Sequence, residues 1–172
     1  MDHAGFLDIC LEEAELARQA GAMPVGAVIV APDGSILSRG RNRALTQGDQ
    51  TAHAEVDAIR NAGRAIVDNV PDEGWILYSS AEPCLMCLGA IVLTPVKTVV
   101  WASDSVTGSA YHLLIRDQTV AGADRTRTPL EAERIRALKV IKEPSEAHRS
   151  RSRAFLREFF TTQGNLARAQ LY

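Results

Sequence analysis

Long apolar runs are missing from this sequence. The longest, such as Val25–Val30 and Ile91–Leu93, fall far short of the roughly 20 residues that cross a bilayer. Its first residues, Met1, Asp2 and His3, supply neither the basic start nor the apolar stretch of a secretory leader, so the expectation is a cytoplasmic protein with no membrane partner. Cysteine is scarce: there are three, an odd number, and two of them sit three residues apart. That pattern suits a metal or redox motif better than a secreted disulfide framework. A large excess of one charge is also lacking. Nineteen Lys and Arg stand against 21 Asp and Glu, a formal net charge of -2, which argues against a strongly electropositive surface. The balance is uneven, because residues 144–172 hold five Arg and two Glu, a net +3. Fixed-period repeats, low-complexity tracts and Gly/Ser linkers are absent. The expectation is one domain over residues 1–160, followed by a tail, 161–172, that is either a mobile end or a partner-docking arm.

What is present is an ordinary globular composition, 46% hydrophobic and 23% charged over 172 residues. A chain of this size buries roughly 70% of its unfolded surface, so it needs neither disulfide nor structural metal to hold together. Any metal site therefore calls for another explanation. Phe6, Ile9, Cys10, Leu16, Ala17 and Ala20 recur at helical spacing ahead of Gly21, predicting a helix over 3–20 with Cys10 in the core. Residues 25–31 and 35–41 read as strands of a hairpin turned by Pro32-Asp33-Gly34. Thr51 is expected to cap a helix over 52–63 that Gly63 stops. Strands are expected at 75–79 and 98–102 around a helix at 84–93, with a short helix near 109–115, a strand near 137–142 and a helix over 145–160. The β-α-β-α-β alternation from the second strand implies right-handed crossovers and a layered α/β sandwich.

The chemistry lies in Thr51-Ala52-His53-Ala54-Glu55 and in Glu82-Pro83-Cys84-Leu85-Met86-Cys87. Cys84 and Cys87, at i and i+3, can point to one side of a helix start, where the dipole favours thiolates. His53 begins the other helix. One imidazole and two thiolates leave a tetrahedral zinc with an open position, which is the pattern of catalytic rather than structural sites. A closed finger-type site would need a fourth ligand, and the remaining cysteine, Cys10, sits on an apolar helix face. A redox dithiol would leave His53 and Glu55 unexplained. Glu55 is better placed as a proton carrier than as a ligand.

His-x-Glu followed by Pro-Cys-x-x-Cys is the signature of zinc-dependent nucleobase deaminases, and on it the chain resembles the cytidine and deoxycytidylate deaminase superfamily. Within that superfamily it is most similar to the branch of bacterial tRNA adenosine deaminases, fungal-type cytosine deaminases and small guanine deaminases. The likeness runs to about Ala102, through Met23–Val30, Gly40-Arg41-Asn42, Thr51–Glu55 and Pro83–Ile91. It implies a three-layer α-β-α sandwich with a five-stranded mixed sheet, and a homodimer or larger oligomer. It also implies zinc on His53, Cys84 and Cys87, with Glu55 as the catalytic proton shuttle. Substrate contacts would come from Asn42, whose amide can both donate and accept, and from the Ala54 backbone N–H. Asn42 could equally be a turn residue.

After Trp101 the tRNA enzymes carry a Lys-containing stretch, whereas this chain has Asp104 to Leu114 without it and His112 where Asn is usual. Guanine deaminases usually have Trp at the position of Leu93. Cytosine deaminases tolerate an apolar residue there and close their pocket with C-terminal aromatics. Phe155, Phe159 or Phe160 could do this, or they could be core residues. His112 is either a substrate contact or an ordinary helix histidine. The expected substrate is a small free aminoheterocycle, cytosine-like before guanine-like or triazine. Wobble-position adenosine of tRNA is the second reading, and a non-catalytic zinc scaffold is a third, against which an intact Glu55 speaks.

Overall fold

The computed structural model describes residues 1–106, 110–111, 134, 137–141 and 145–172. Helix α1 (His3–Gln19) starts where Asp2 accepts from the Gly5 N–H at 3.0 Å and stops before Gly21, which has φ +81°. Its buried stripe is Leu7, Cys10, Leu11, Ala14 and Ala17, so Cys10 is a core residue as expected. Leu16 and Ala20, expected on that stripe, face solvent, because a 3.6-residue period rotates them off the face set by Leu7 and Ala14. Strands β1 (Gly26–Val30) and β2 (Ile36–Arg41) form the expected hairpin. Helix α2 (Ala44–Gln47) and helix α4 (Ala65–Asp68) were not legible in the sequence, since one turn carries no periodicity.

Helix α3 (Ala54–Ala62) corrects one expectation: His53, not Thr51, is its N-cap residue, and it makes no side-chain cap bond. Thr51 instead bonds Asp49 through its N–H (2.8 Å) and hydroxyl (2.7 Å). Strand β3 (Trp75–Ser79), helix α5 (Leu85–Val92) and strand β4 (Val96–Trp101) follow, with β4 starting two residues early. Strand β5 (Lys139–Ile141) and helix α6 (Glu146–Thr162) match the reading of the C-terminal third, and a last turn, α7 (Leu166–Ala169), comes after them. Most of the helix expected near 109–115, His112 included, lies outside the described residues. No helix among the described residues is long and apolar enough to cross a membrane.

The five strands lie in the order β2-β1-β3-β4-β5, antiparallel on either side of β1 and parallel from β3 to β5. Side-chain alternation splits the core. Ala27, Ile29, Leu77 and Val99 face α3 and α5, whereas Val28, Val30, Tyr78 and Val100 face Leu7 and Cys10 of α1. Strand β1 is buried on both faces, which is why its sequence is a continuous apolar run. Helix α6 runs alongside α1 in the same direction, paired through Asp8 with Arg151 (3.1 Å) and Arg18 with Glu158 (3.0 Å). It then brings Leu156 and Phe160 into the α3/α5 side of the core.

Gly40 of β2 fixes how closely α3 approaches the sheet. A Cβ at this position would collide with the backbone of Ala54 and Ala58, so helix and strand touch with no side chain between them. We expect Gly40→Ala to cost about 2–3 kcal/mol, the range of overpacked cores. In a chain of this size that is a fall in Tm of roughly 4–12 °C, which thermal unfolding followed by circular dichroism would read.

Candidate active site

Two helix starts, one on α3 and one on α5, meet at the end of β3. Cys84 is the N-cap of α5 in extended conformation, as His53 is for α3, and neither caps its helix with its side chain. Both side chains are therefore left for another partner. His53 Nδ1, Cys84 Sγ and Cys87 Sγ form a triangle with all three edges 3.5 Å. A tetrahedral zinc with bonds near 2.3 Å to sulfur and 2.0–2.1 Å to nitrogen separates such donors by about 3.5–3.8 Å. The donor set and its spacing thus fit a zinc ion. Among the described residues this is the one group of three His, Cys or carboxylate donors close enough to share a metal. Cys10 lies on the other face of the sheet, so no closed four-ligand site forms with it.

The three donor groups are coupled through their mutual hydrogen bonds. Hydrogen bonding with Cys87, and then with His53, holds the Cys84 thiol down to about 4 against the opposing effect of burial. Cys87 is pushed up by its bond with Cys84 and by burial, and His53 is raised by its bond with Cys84. Glu55, in the first turn of α3 and only 3% exposed, has its pKa raised by burial. Its Oε1 accepts from the Ser79 hydroxyl at 2.9 Å. Ser79 was not singled out from the sequence. A serine ending a strand is bland until topology sets it beside Glu55.

Asn42 is 4% exposed and held at both flanks. Its N–H donates to the Val25 carbonyl, the Arg43 N–H donates to the Ala52 carbonyl, and the buried Asp57 accepts from Arg41 N and Arg43 Nε. Its Oδ1 accepts from the Ala44 N–H at 3.1 Å, so the turn role is real. That bond uses one of the oxygen's two lone pairs, and the amide NH2 remains to donate. Ala54 is the first residue of α3, so its N–H has no partner within the helix.

A cavity of about 160 Å³ joins these groups. Asn42, His53, Ala54, Glu55 and Cys84 line one part of it, and Glu82, Asp104 and Ser105 another. Glu82 accepts from the Ser105 N–H at 2.8 Å, and Asp104 from the Trp101 indole N–H at 2.8 Å. The C-terminal part contributes Leu156, Arg168 and Tyr172. None of the three was singled out in the sequence, because they lie in the last helices of the chain, far from the motifs in sequence. Phe160 is a core residue stacked on Tyr172, with centroids 5.8 Å apart, and with Phe159 it lines an adjoining cavity of about 290 Å³ that shares Met23, Asn42 and His53. His112 lies outside the described residues.

Residues 1–103 match the family model for the cytidine and deoxycytidylate deaminase zinc-binding region. The chain is 43% identical over 100 residues to a tRNA-specific adenosine deaminase of Haemophilus influenzae, covering 58% of this chain and 57% of that protein. It is 45% identical over 105 residues to a guanine deaminase of Bacillus subtilis, covering 60% and 66%. The match thus spans less than two thirds of the length of either relative. The solved structure of a guanine deaminase from Nitrosomonas europaea superposes with a TM-score of 0.64 at 26% identity, over 91% of this chain and 83% of that one. The family match covers more than half of the sequence and contains the whole donor triangle, and on that ground the chain belongs to the cytidine and deoxycytidylate deaminase zinc-binding family.

Proposed function

We propose that the chain is a zinc-dependent hydrolytic deaminase that converts the amino group of a small free nucleobase or related aminoheterocycle, cytosine-like, guanine-like or triazine, to an oxo group. The observation that carries the small-molecule reading is the cavity. It is small, part of its wall is the chain's own C-terminal residues, and its described lining holds three carboxylates, Glu55, Glu82 and Asp104, against the one guanidinium of Arg168. A site that admits a nucleotide from an RNA loop needs room and cations for phosphates at its mouth.

His53, Cys84 and Cys87 would hold the zinc, which when bound would supply Lewis acidity for making water nucleophilic near neutral pH. The remaining steps fall to the protein. Glu55 takes a proton from the attacking water and hands it to the ring nitrogen beside the amino-bearing carbon, which is electrophilic only once that nitrogen is protonated. As the C–O bond forms, Glu55 carries the second water proton to the amino group. The C–N bond then breaks and ammonia leaves, so ring amine plus water becomes ring oxo plus ammonia. Burial, which raises the Glu55 pKa, suits a group that must hold a proton between these transfers. The Ser79 hydroxyl holds Oε1 in place, while the Asn42 amide NH2 and the Ala54 N–H donate to ring acceptors.

The reading takes residues 1–160 as one catalytic domain and 161–172 as the tail that completes its pocket. A cytoplasmic setting belongs to it, in keeping with three unpaired cysteines. So does a homodimer or larger oligomer, for which Leu85, Met86 and Leu93, exposed on or just beyond α5, offer an apolar contact. The 43% identity to a tRNA-specific enzyme supports deamination of wobble adenosine as the second reading. Ammonia release from zinc-loaded protein, against free bases, nucleosides, aminotriazines and an anticodon stem-loop containing adenosine, separates the two. The expected result is turnover of a free base with the stem-loop untouched. Inosine in the stem-loop with silence on the bases would reverse the assignment.

A further inference from the structure

Arg168 is the one cationic side chain among the described residues that line the catalytic cavity, where it shares the walls with Glu55, Glu82 and Asp104. Arg168 is itself exposed, so its side chain stands at the mouth of that cavity. Among the described residues Arg168 makes no ion pair and no side-chain hydrogen bond. Its guanidinium instead lies over the Phe160 ring, 4.5 Å from the centroid, and Phe160 stacks on Tyr172. The backbone holds it there. The Arg168 N–H donates at 3.2 Å to Oδ1 of Asn165, the cap of α7, and Arg157 ties the turn down through the Tyr172 backbone oxygen at 2.6 Å. The guanidinium thus rests against an aromatic face on a turn whose backbone is tied down, with its N–H groups available to whatever fills the cavity.

We infer that Arg168 is a specificity-determining residue that donates to an oxo oxygen on the substrate ring, so that the substrate class is the amino-oxo heterocycles. Guanine and cytosine belong to that class, and oxo-free aminopurines such as adenine do not. This rests on the small-molecule deaminase reading and narrows it. A neutral oxo group can take the two-pronged N–H face of a guanidinium without bringing charge into the cavity. The polar chemistry divides accordingly. The Asn42 amide, the Ala54 N–H and Arg168 offer donors to ring acceptors, and the carboxylates offer acceptors to ring N–H and amino groups.

The test compares two substrates with the same 2-amino group, guanine, which carries a 6-oxo group, and 2,6-diaminopurine, which carries a second amino group there instead. In zinc-loaded protein, Arg168→Gln should lower the ratio of kcat/KM for guanine to that for 2,6-diaminopurine at least about tenfold, mostly through KM. Arg168→Lys should recover part of the ratio. Gln170→Ala, exposed on the same turn, should leave it unchanged and so guards against a general disturbance of the tail. Binding provides a readout independent of turnover: in an otherwise inactive Glu55→Ala background, Arg168→Gln should weaken the calorimetric affinity for guanine and cytosine by a similar factor. An unchanged ratio with ammonia release intact overturns the role of Arg168 and leaves the deaminase reading standing. If the wild-type protein releases no ammonia and the Glu55→Ala protein binds no free base, both fail together.

Discussion

Glu55→Ala lowers kcat by at least about a thousandfold, within the span that a positioned general acid and base contributes, while zinc content measured by atomic absorption stays at the wild-type value. The two halves of that result come from separate features. The carboxylate is not one of the three donors, so His53 Nδ1 and both Sγ atoms remain to hold zinc when it is removed. It is also buried and oriented by the Ser79 hydroxyl, which sets it apart as the positioned proton carrier. Glu55→Gln keeps the shape and the Ser79 contact but cannot shuttle protons, and it should be equally inactive. Because burial raises the pKa of Glu55, its ionised form costs stability in the folded protein above the normal carboxylate range. The neutral Gln variant should therefore be at least as stable as wild type when metal-free. Retention of most of the wild-type kcat by either variant would remove Glu55 from the mechanism.

Loss of a ligand should act through the metal instead. Cys87→Ser replaces a buried sulfur on the inner side of α5, and the oxygen is both a harder donor and a shorter reach. Zinc retained after dialysis against a mild chelator should fall from about one per chain to below about 0.1, with activity falling in step. The wild-type protein stripped of zinc should lose activity, regain it on adding zinc, and melt at a lower temperature than the loaded form. Leu77, Leu88 and Ile91 are fully buried in a core made of the chain's own apolar side chains, so the stripped protein should remain folded. Unfolding on stripping would instead make the site structural. The Gly40→Ala and Arg168→Gln experiments perturb the support of the site and its selectivity, so the four sets of variants report on different parts of one machine.

What the sequence made legible follows from how local each signal is. His53, Cys84 and Cys87 were readable because each motif is a few residues long and lies at a helix start, where local geometry fixes direction. The central strands were readable because β1 is apolar on both faces and β3 and β4 flank a helix of continuous apolar character. Thr51 misled because a good capping side chain had a nearer partner in Asp49, which left His53 at the cap position with its ring turned to the thiols. Leu16 misled because one apolar residue off the stripe cannot be told from one on it without knowing which face meets the sheet. Ser79, Arg168 and Tyr172 were silent for a different reason. Each matters only through long-range placement: Ser79 through β3 lying beside the start of α3, and the tail residues through α6 crossing from α1 to the cavity. Ser152 anchors that crossing by donating to the Ser80 carbonyl at 2.6 Å. No window of sequence contains such information.

The bare contact between Gly40 and the Ala54–Ala58 turn has a consequence for how the pocket can breathe. A helix seated on a strand through side chains can slide by repacking them, but a helix seated backbone to backbone has no such play. The wall that carries His53 and Glu55 is therefore the stiff one, and under the proposed function entry and exit would fall to the opposite wall, to which α6 and α7 contribute Leu156 and Arg168. Turnover and chemistry would then be governed from different ends of the chain. Substitutions after residue 160 can change how fast the cycle completes while the reacting groups keep their alignment.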